Sequence, residues 1–180
     1  AVGRGSVFFD NVRIPADTLM SQEGTGFIQV MIGFDYTRAI IGLLCLGVAT
    51  QSVEDTIQYV KDRQAFGKPL ARFEGVSFPI AEALTKIDAA KWQCYRTLWL
   101  KDNGLPHTAE AAMCKWWSPR LSVEVVHEML LLHGHYGYTD EFPIEQRLRD
   151  VIGLEIGDGT AQIQKIVIAR EHIGKEYKPY

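Results

Sequence analysis

Hydrophobic and polar residues along this chain first alternate and then recur at helical spacing. Residues 5–14 alternate around β-branched and aromatic side chains and stop at Ile14-Pro15, a pattern suited to one strand. A single strand is not stable alone, so this one asks for sheet partners that the remaining pattern does not supply. From Gly26 the apolar positions recur with helical period to about Arg63, where Phe66-Gly67-Lys68-Pro69 carries Gly and Pro stop signals. At 1.5 Å per residue that helix is about 55 Å long. A second helix is expected from about Val76 to Asp102, with Ile80, Leu84, Ile87, Cys94 and Leu98 inward. Asn103-Gly104-Leu105-Pro106 closes it and opens a third, from about Thr108 to Leu132, which Pro119 should kink or divide after Ser118. A fourth, shorter helix starts at Pro143, and a last one runs from Thr160 to about Ile173. The pattern predicts an all-α fold: an up-down antiparallel four-helix bundle with a short additional C-terminal helix and one leftover β-strand at the N-terminus.

Three glycines in the first helix, Gly33, Gly42 and Gly47, cost roughly 1 kcal/mol each relative to Ala, so close helix contact or close ligand approach is expected there. With 180 residues, 47% of them hydrophobic, the chain can bury one sizeable core. A net charge of -3, from 19 basic and 22 acidic residues mixed along the chain, leaves no basic stripe for nucleic acid or a membrane surface. The longest apolar run, Ala39 to Ala49, falls well short of the roughly 20 residues that cross a bilayer, so it reads as a buried helix rather than a membrane span. Cys45, Cys94 and Cys114 are odd in number and widely spaced, which fits neither a disulfide framework nor a zinc knuckle and suits a reducing compartment. No basic segment followed by an apolar one opens the chain, and its first residue is not Met.

The chemistry concentrates in Ile156-Gly157-Asp158-Gly159-Thr160-Ala161-Gln162-Ile163-Gln164, followed by Ile168-Ala169-Arg170. A carboxylate stands at a glycine-flanked turn before a helix, Thr160 can cap that helix through its hydroxyl, and the first-turn N–H groups can receive a phosphate or ribose oxygen. Taken alone, Asp-Gly-Thr is more often a plain turn and helix start. Two further segments change that reading: Tyr59-Val-Lys-Asp-Arg-Gln-Ala-Phe-Gly-Lys-Pro-Leu70, and His133-Gly-His-Tyr-Gly-Tyr-Thr-Asp-Glu-Phe-Pro-Ile-Glu-Gln-Arg-Leu-Arg-Asp150. In this order and spacing the three segments resemble the carboxy-terminal helical domain of the acyl-CoA dehydrogenase flavoenzymes. Val7-Phe-Phe-Asp-Asn-Val-Arg-Ile-Pro15 and Glu23-Gly-Thr-Gly-Phe27 resemble the end of that family's middle β-domain and its lead into the helices. The resemblance covers nearly the whole chain. It implies residues 1–22 as the end of a β-domain, residues 23–180 as the bundle, and a piece of a longer polypeptide that removes hydrogen from an acyl-CoA thioester with FAD. It further implies an electron-transfer flavoprotein as acceptor, a homotetramer, and a place in a bacterial cytoplasm or a mitochondrial matrix.

Residue by residue, the resemblance puts Asp158 in the place of the catalytic glutamate. The reaction removes a proton from the carbon beside the thioester carbonyl and passes a hydride from the next carbon to the flavin. A solvated Asp, with a pKa of about 3.9, is a weak base for this, so burial against flavin and acyl chain should raise it. Asp is one methylene shorter than Glu. Three readings stay open: a base for a bulky or cyclic acyl group, a base for a more ordinary one, or a vestige. Cyclohexane-carboxyl-CoA dehydrogenases are similar in using Asp here, and nitroalkane oxidases of the same superfamily use Asp too. Some members instead carry the base on the first helix, where this chain has Thr37. Asp35, Tyr36, Thr37 and Arg38, with Gly159, match the segment that meets the acyl-CoA. The plain alternative is an amphipathic helix with polar surface residues. Arg63, Gln64 and Phe66 match the segment reaching the FAD pyrophosphate of a neighbouring subunit, though Arg63 also suits a helix C-terminus. Leu131, His133, Gly134 and His135 lie where the flavin-adenine loop belongs, with Leu131 in place of a usual glutamine, His135 in place of a glycine and Glu74 in place of another glutamine. Thr160 and Gln162 complete the FAD set. His133 and His135 lack a third ligand at metal spacing, so no metal is expected. Arg147, Arg149 and Asp150 read as a structural charged cluster. Of the adjacent Trp116 and Trp117, one should face the core and the other a neighbour. Against the dehydrogenase stand two alternatives, a superfamily oxidase acting on a small carbon acid and a helical assembly domain whose site has decayed.

Overall fold

The computed structural model describes residue 3 and residues 5–177. Six α-helices carry the fold: α1 Gly26–Asp62, α2 Glu74–Asp102, α3 Thr108–His133, α4 His135–Tyr138, α5 Ile144–Ile156 and α6 Ala161–Ile173. Two short strands, β1 Gln64–Ala65 and β2 Lys68–Pro69, pair antiparallel between α1 and α2. Phe66 (φ 51°) and Gly67 (φ 77°) make the turn between them; a two-residue hairpin with positive φ at both positions matches the right-handed twist of its strands.

Helix α3 is the centre, packed against α1, α2, α5 and α6. The core it shares with α1 and α2 includes Leu46, Val53, Ile87, Cys94, Val126 and Met129. Gly42 explains one of the glycines in α1. A Cβ there would stand 2.9 Å from Cys94 Sγ on α2 and 3.2 Å from Ser118 Oγ on α3, so three helices converge on that point. Gly33 and Gly47 face open space. By length and composition α1 could cross a membrane, but over its middle and C-terminal parts Ala39, Cys45, Leu46, Ala49, Val53 and Val60 are core residues of the bundle.

Several expectations need correction. Residues 5–14 form no strand: the segment is exposed and pairs with nothing among the described residues, because isolated backbone has no ladder to join. Pro119 does not divide α3. Its ring is buried and the helix runs unbroken from Thr108 to His133, since packing on four helices offsets the missing backbone donor. Leu84 is outward, whereas Ile80, Ile87 and Cys94 are buried. The short α4 was not foreseen; Gly134 at φ 61° ends α3 and lets the chain re-enter helix immediately. Trp116 and Trp117 are both half-buried; Trp117 packs on the core, and Trp116 is covered by Lys165 of α6, 4.6 Å from its ring.

Candidate active site

The turn between α5 and α6 holds Asp158 in an uncommon conformation. Asp158 has φ 57° and Gly159 φ 98°, after which Thr160 is extended and α6 begins. A left-handed residue other than Gly costs roughly 1–2 kcal/mol, less for Asp than for most. Gly159 sits at a φ that favours glycine, and a Cβ there would also lie 2.6 Å from Gln164 Nε2 and displace that amide. That amide donates to the carbonyls of Asp158 (3.2 Å) and Gly159 (3.1 Å). Lys115 Nζ, from α3, donates to the carbonyls of Glu155 (3.4 Å) and Gly159 (3.3 Å). The Asp158 carboxylate accepts from Thr37 Oγ1 of α1 at 3.4 Å, joining residues 121 positions apart. Thr160 does not cap α6 with its hydroxyl. The first backbone donor of that helix to find a partner is Gln164, so the preceding N–H groups point outward without a side-chain acceptor.

On α1, Arg38 is buried and pairs with Asp35 at 3.3 Å, and Asp35 also accepts from Thr108 Oγ1 at 2.6 Å. Burial pushes the Arg38 guanidinium below its usual range, while Asp35 and Asp158 pull it back up. Its Nε has no partner, and Phe34 lies 5.4 Å below the guanidinium. Tyr36 points the other way and is covered by Lys101, 4.6 Å from its ring. Tyr36 thus lies on a different side of α1 from Asp35 and Arg38, which pair across one turn. Only Thr37 and Arg38 turn toward Asp158.

A second group of expected residues gathers at the far end of α1. Arg63 and His133 line a cavity of about 540 Å³ with Asp55, Tyr59, Asp62 and Phe142. Tyr59 stacks on His133 at 4.2 Å and donates to its carbonyl at 3.2 Å. Burial pushes the His133 imidazole below its usual value. Arg63 stands 5.7 Å from the Tyr136 ring. Leu131 lines a different cavity with Leu130, Tyr138 and Leu148, while Gln64 and His135 are exposed and Phe66 reaches outward, 95% accessible. Gln162 is exposed on α6 beside the Asp158 turn, so the expected FAD residues fall into two separate groups. No group of three metal-ligating side chains occurs among the described residues. Arg147 pairs with Asp55 at 2.6 Å and Arg149 with Glu145, which matches their structural role.

Sequence reasoning missed Lys115, Gln164 and Thr108. A signal existed for the first: Lys115 is the one charged residue in Ala111-Ala112-Met113-Cys114-Lys115-Trp116-Trp117-Ser118-Pro119.

The family model for the acyl-CoA dehydrogenase C-terminal domain matches residues 24–173, which takes in both ends of the bundle and the Asp158 turn. The chain belongs to the acyl-CoA dehydrogenase family. Among its relatives is an acryloyl-CoA reductase (NADH) of Anaerotignum propionicum, 38% identical over 92% of this chain and 42% of that protein. Another is a cyclohexane-1-carbonyl-CoA dehydrogenase of Geobacter metallireducens, 34% identical over 92% of this chain and 43% of that protein. The solved butyryl-CoA dehydrogenase of Megasphaera elsdenii superposes with a TM-score of 0.88 at 32% identity, over 92% of this chain and 43% of that one. The chain thus spans less than half the length of these family members.

Proposed function

We propose that this chain is the helical part of an FAD-dependent acyl-CoA dehydrogenase with Asp158 as its base. One observation carries the assignment: the residues at the family's two base positions, Asp158 and Thr37, touch at 3.4 Å, and only Asp158 is a carboxylate. Whichever element supplies the base, it reaches the same point in space, and here the turn supplies it. FAD, when bound, supplies the hydride acceptor. The free first-turn N–H groups of α6 fit an anionic or ribityl oxygen of that cofactor, and Thr160 and Gln162 flank them. The Asp158 carboxylate takes the proton from the carbon beside the thioester carbonyl as hydride leaves the next carbon, forming the carbon–carbon double bond. Arg38 and Lys115 lie within electrostatic reach of that carboxylate, whose negative charge in turn favours the protonated form of each.

A cyclic or branched acyl-CoA is the proposed substrate class, supported by the shorter Asp side chain and by the cyclohexane-1-carbonyl-CoA relative. An electron-transfer flavoprotein is the proposed acceptor. The exposed residues 5–14, which pair with no strand among the described residues, suit the end of a β-domain, with the bundle from residue 23 onward. The cysteines Cys45, Cys94 and Cys114 are free and buried, which suits a reducing compartment such as a bacterial cytoplasm or mitochondrial matrix.

From Thr37 to Arg63 is 26 residues of α1, about 39 Å at 1.5 Å per residue. One dinucleotide cannot span both the Asp158 turn and the Arg63 cavity. Arg63 and His133 therefore serve a flavin whose ring lies on another subunit, as a homotetramer would arrange. Asp158→Asn in the FAD-loaded enzyme is expected to lower turnover by at least about 10²-fold with flavin retained; near-normal turnover would remove Asp158 from the role.

A further inference from the structure

Lys115 is the largest fully buried side chain among the described residues, 1% exposed, and its ammonium meets two main-chain carbonyls rather than a carboxylate. Burying an ammonium against neutral carbonyls alone is costly, and burial does push Lys115 below the usual lysine range. Both carbonyls belong to the segment that presents Asp158: Glu155 is in the last turn of α5, where carbonyls lack helical partners, and Gly159 directly follows Asp158. A cation at that helix end also meets the negative end of the helix dipole. Gln164 is fully buried, and its amide grips the same turn from α6.

We infer that Lys115 is a positioning residue for the reaction: with Gln164 it clamps the Gly159 carbonyl, holds Asp158 in its left-handed conformation against Thr37, and sets a positive charge behind the carboxylate. This rests on the reading of Asp158 as the base. The two clamps differ in a useful way, since Gln164 supplies donors only and Lys115 supplies donors and charge. The charged and titratable groups around the turn are Asp35, Arg38 and Cys45 from α1, Lys115 from α3, Glu155 from α5 and Arg170 from α6. Arg38 and Arg170 remain when Lys115 is replaced, so the charge is weakened rather than abolished. Glu155 is itself drawn to Arg120, at 3.8 Å.

The test compares Lys115→Met, Gln164→Leu and Asp158→Asn in the FAD-loaded enzyme, reading kcat, KM, the pH profile of turnover and amide exchange at residues 157–160. Lys115→Met is expected to lower kcat on the order of tenfold or more with KM little changed, because a small displacement of a reacting group is costly. It should also move the acidic limb of the profile to higher pH and speed exchange at the turn. Gln164→Leu should lower kcat and speed exchange while leaving the limb in place. A helix cap with no part in the reaction would lower the melting temperature of Lys115→Met without moving limb or kcat, and that result overturns the inference. If Lys115→Met does not fold, Lys115→Gln, which keeps an amide donor without the charge, makes the same comparison. Normal turnover in Asp158→Asn removes the underlying reading; a dead Asp158→Asn beside an unmoved Lys115 profile removes only the clamp.

Discussion

At the scale of single residues, the same amino acid has opposite consequences in different surroundings. Gly42 and Gly47 sit one and a half turns apart on α1, yet a Cβ at Gly42 would press on Cys94 and Ser118, whereas at Gly47 it would meet nothing within 4 Å. Gly42→Ala is therefore expected to destabilise the bundle by about 1–3 kcal/mol through overpacking. Gly47→Ala should stabilise it by about 0.5–1 kcal/mol, because an exposed helical site only gains from lower backbone entropy in the unfolded chain. Urea unfolding of the two variants checks both signs in one experiment. Asp158 presents the related problem of a side chain in a backbone region that favours glycine. Its neighbours Lys115 and Gln164 tie down the carbonyls of Asp158 and Gly159, so the strain is borne by hydrogen bonds from other helices rather than by the turn itself.

Between elements, α5 is joined to α1 by the Arg147–Asp55 pair at 2.6 Å. Burial alone would raise the Asp55 carboxyl, but hydrogen bonds from Arg147 and Gln51 outweigh it and hold the group below the usual carboxylate range. The folded state thus favours the ionised form more than the unfolded state does, so the contribution is present above the unfolded value near pH 4 and is lost as pH falls through the lower folded value. Asp55 is 39% exposed, so solvent screening limits the pair to below about 1 kcal/mol. Arg147→Met should accordingly lose less stability at pH 3 than at pH 7, and chemical denaturation at the two values compares them. Equal losses at both would show that Arg147 acts through its packing instead. The β1–β2 hairpin shows another element-scale choice. Its tip puts Phe66 at φ 51° and leaves the ring edge-on to Phe73 at 6.2 Å, with 95% of Phe66 accessible.

For the whole molecule, exposed apolar side chains run along much of the chain, from the N-terminal segment through Phe66, Trp92 and Trp99 to Ile173. Phe8, Phe9, Phe27, Ile28 and Ile32 are more than half exposed, and the two groups of proposed FAD residues stand about 39 Å apart along α1. Both features fit a bundle that is completed by further domains and further copies. This chain by itself is expected to fold yet to bind FAD weakly, because the flat ring would lack the apolar walls that hold an aromatic cofactor. Flavin fluorescence titration tests it, and saturable micromolar binding would contradict it. In the assembled enzyme, Arg63→Ala should weaken FAD retention while leaving the Asp158 end of the same subunit intact. Sedimentation of a stable monomer that keeps its flavin would exclude the shared-subunit arrangement.

Helical period, glycine and proline stops placed both ends of α1, α2, α3 and α6, and the start of α5, within about two residues, because amphipathic pattern and chain breakers are local properties. The Asp158 turn was legible for the same reason, because glycines on both sides of an acid before a helical run mark a turn, whereas its left-handed backbone, φ 57° at Asp158 and 98° at Gly159, came only with the structure. Contacts between distant segments were not legible. Nothing local in the sequence says that Thr37 lies 3.4 Å from Asp158, that Arg38 turns inward onto Asp35 while Tyr36 turns away, or that Leu131 and His133 line different cavities. Nor does a strand-like alternation in residues 5–14 make a strand without a partner to bond. Lys115 marks the boundary between the two kinds of knowledge. Its charge in an apolar stretch is visible in the sequence, but that its ammonium reaches across to the Gly159 carbonyl follows only from how α3, α5 and α6 pack.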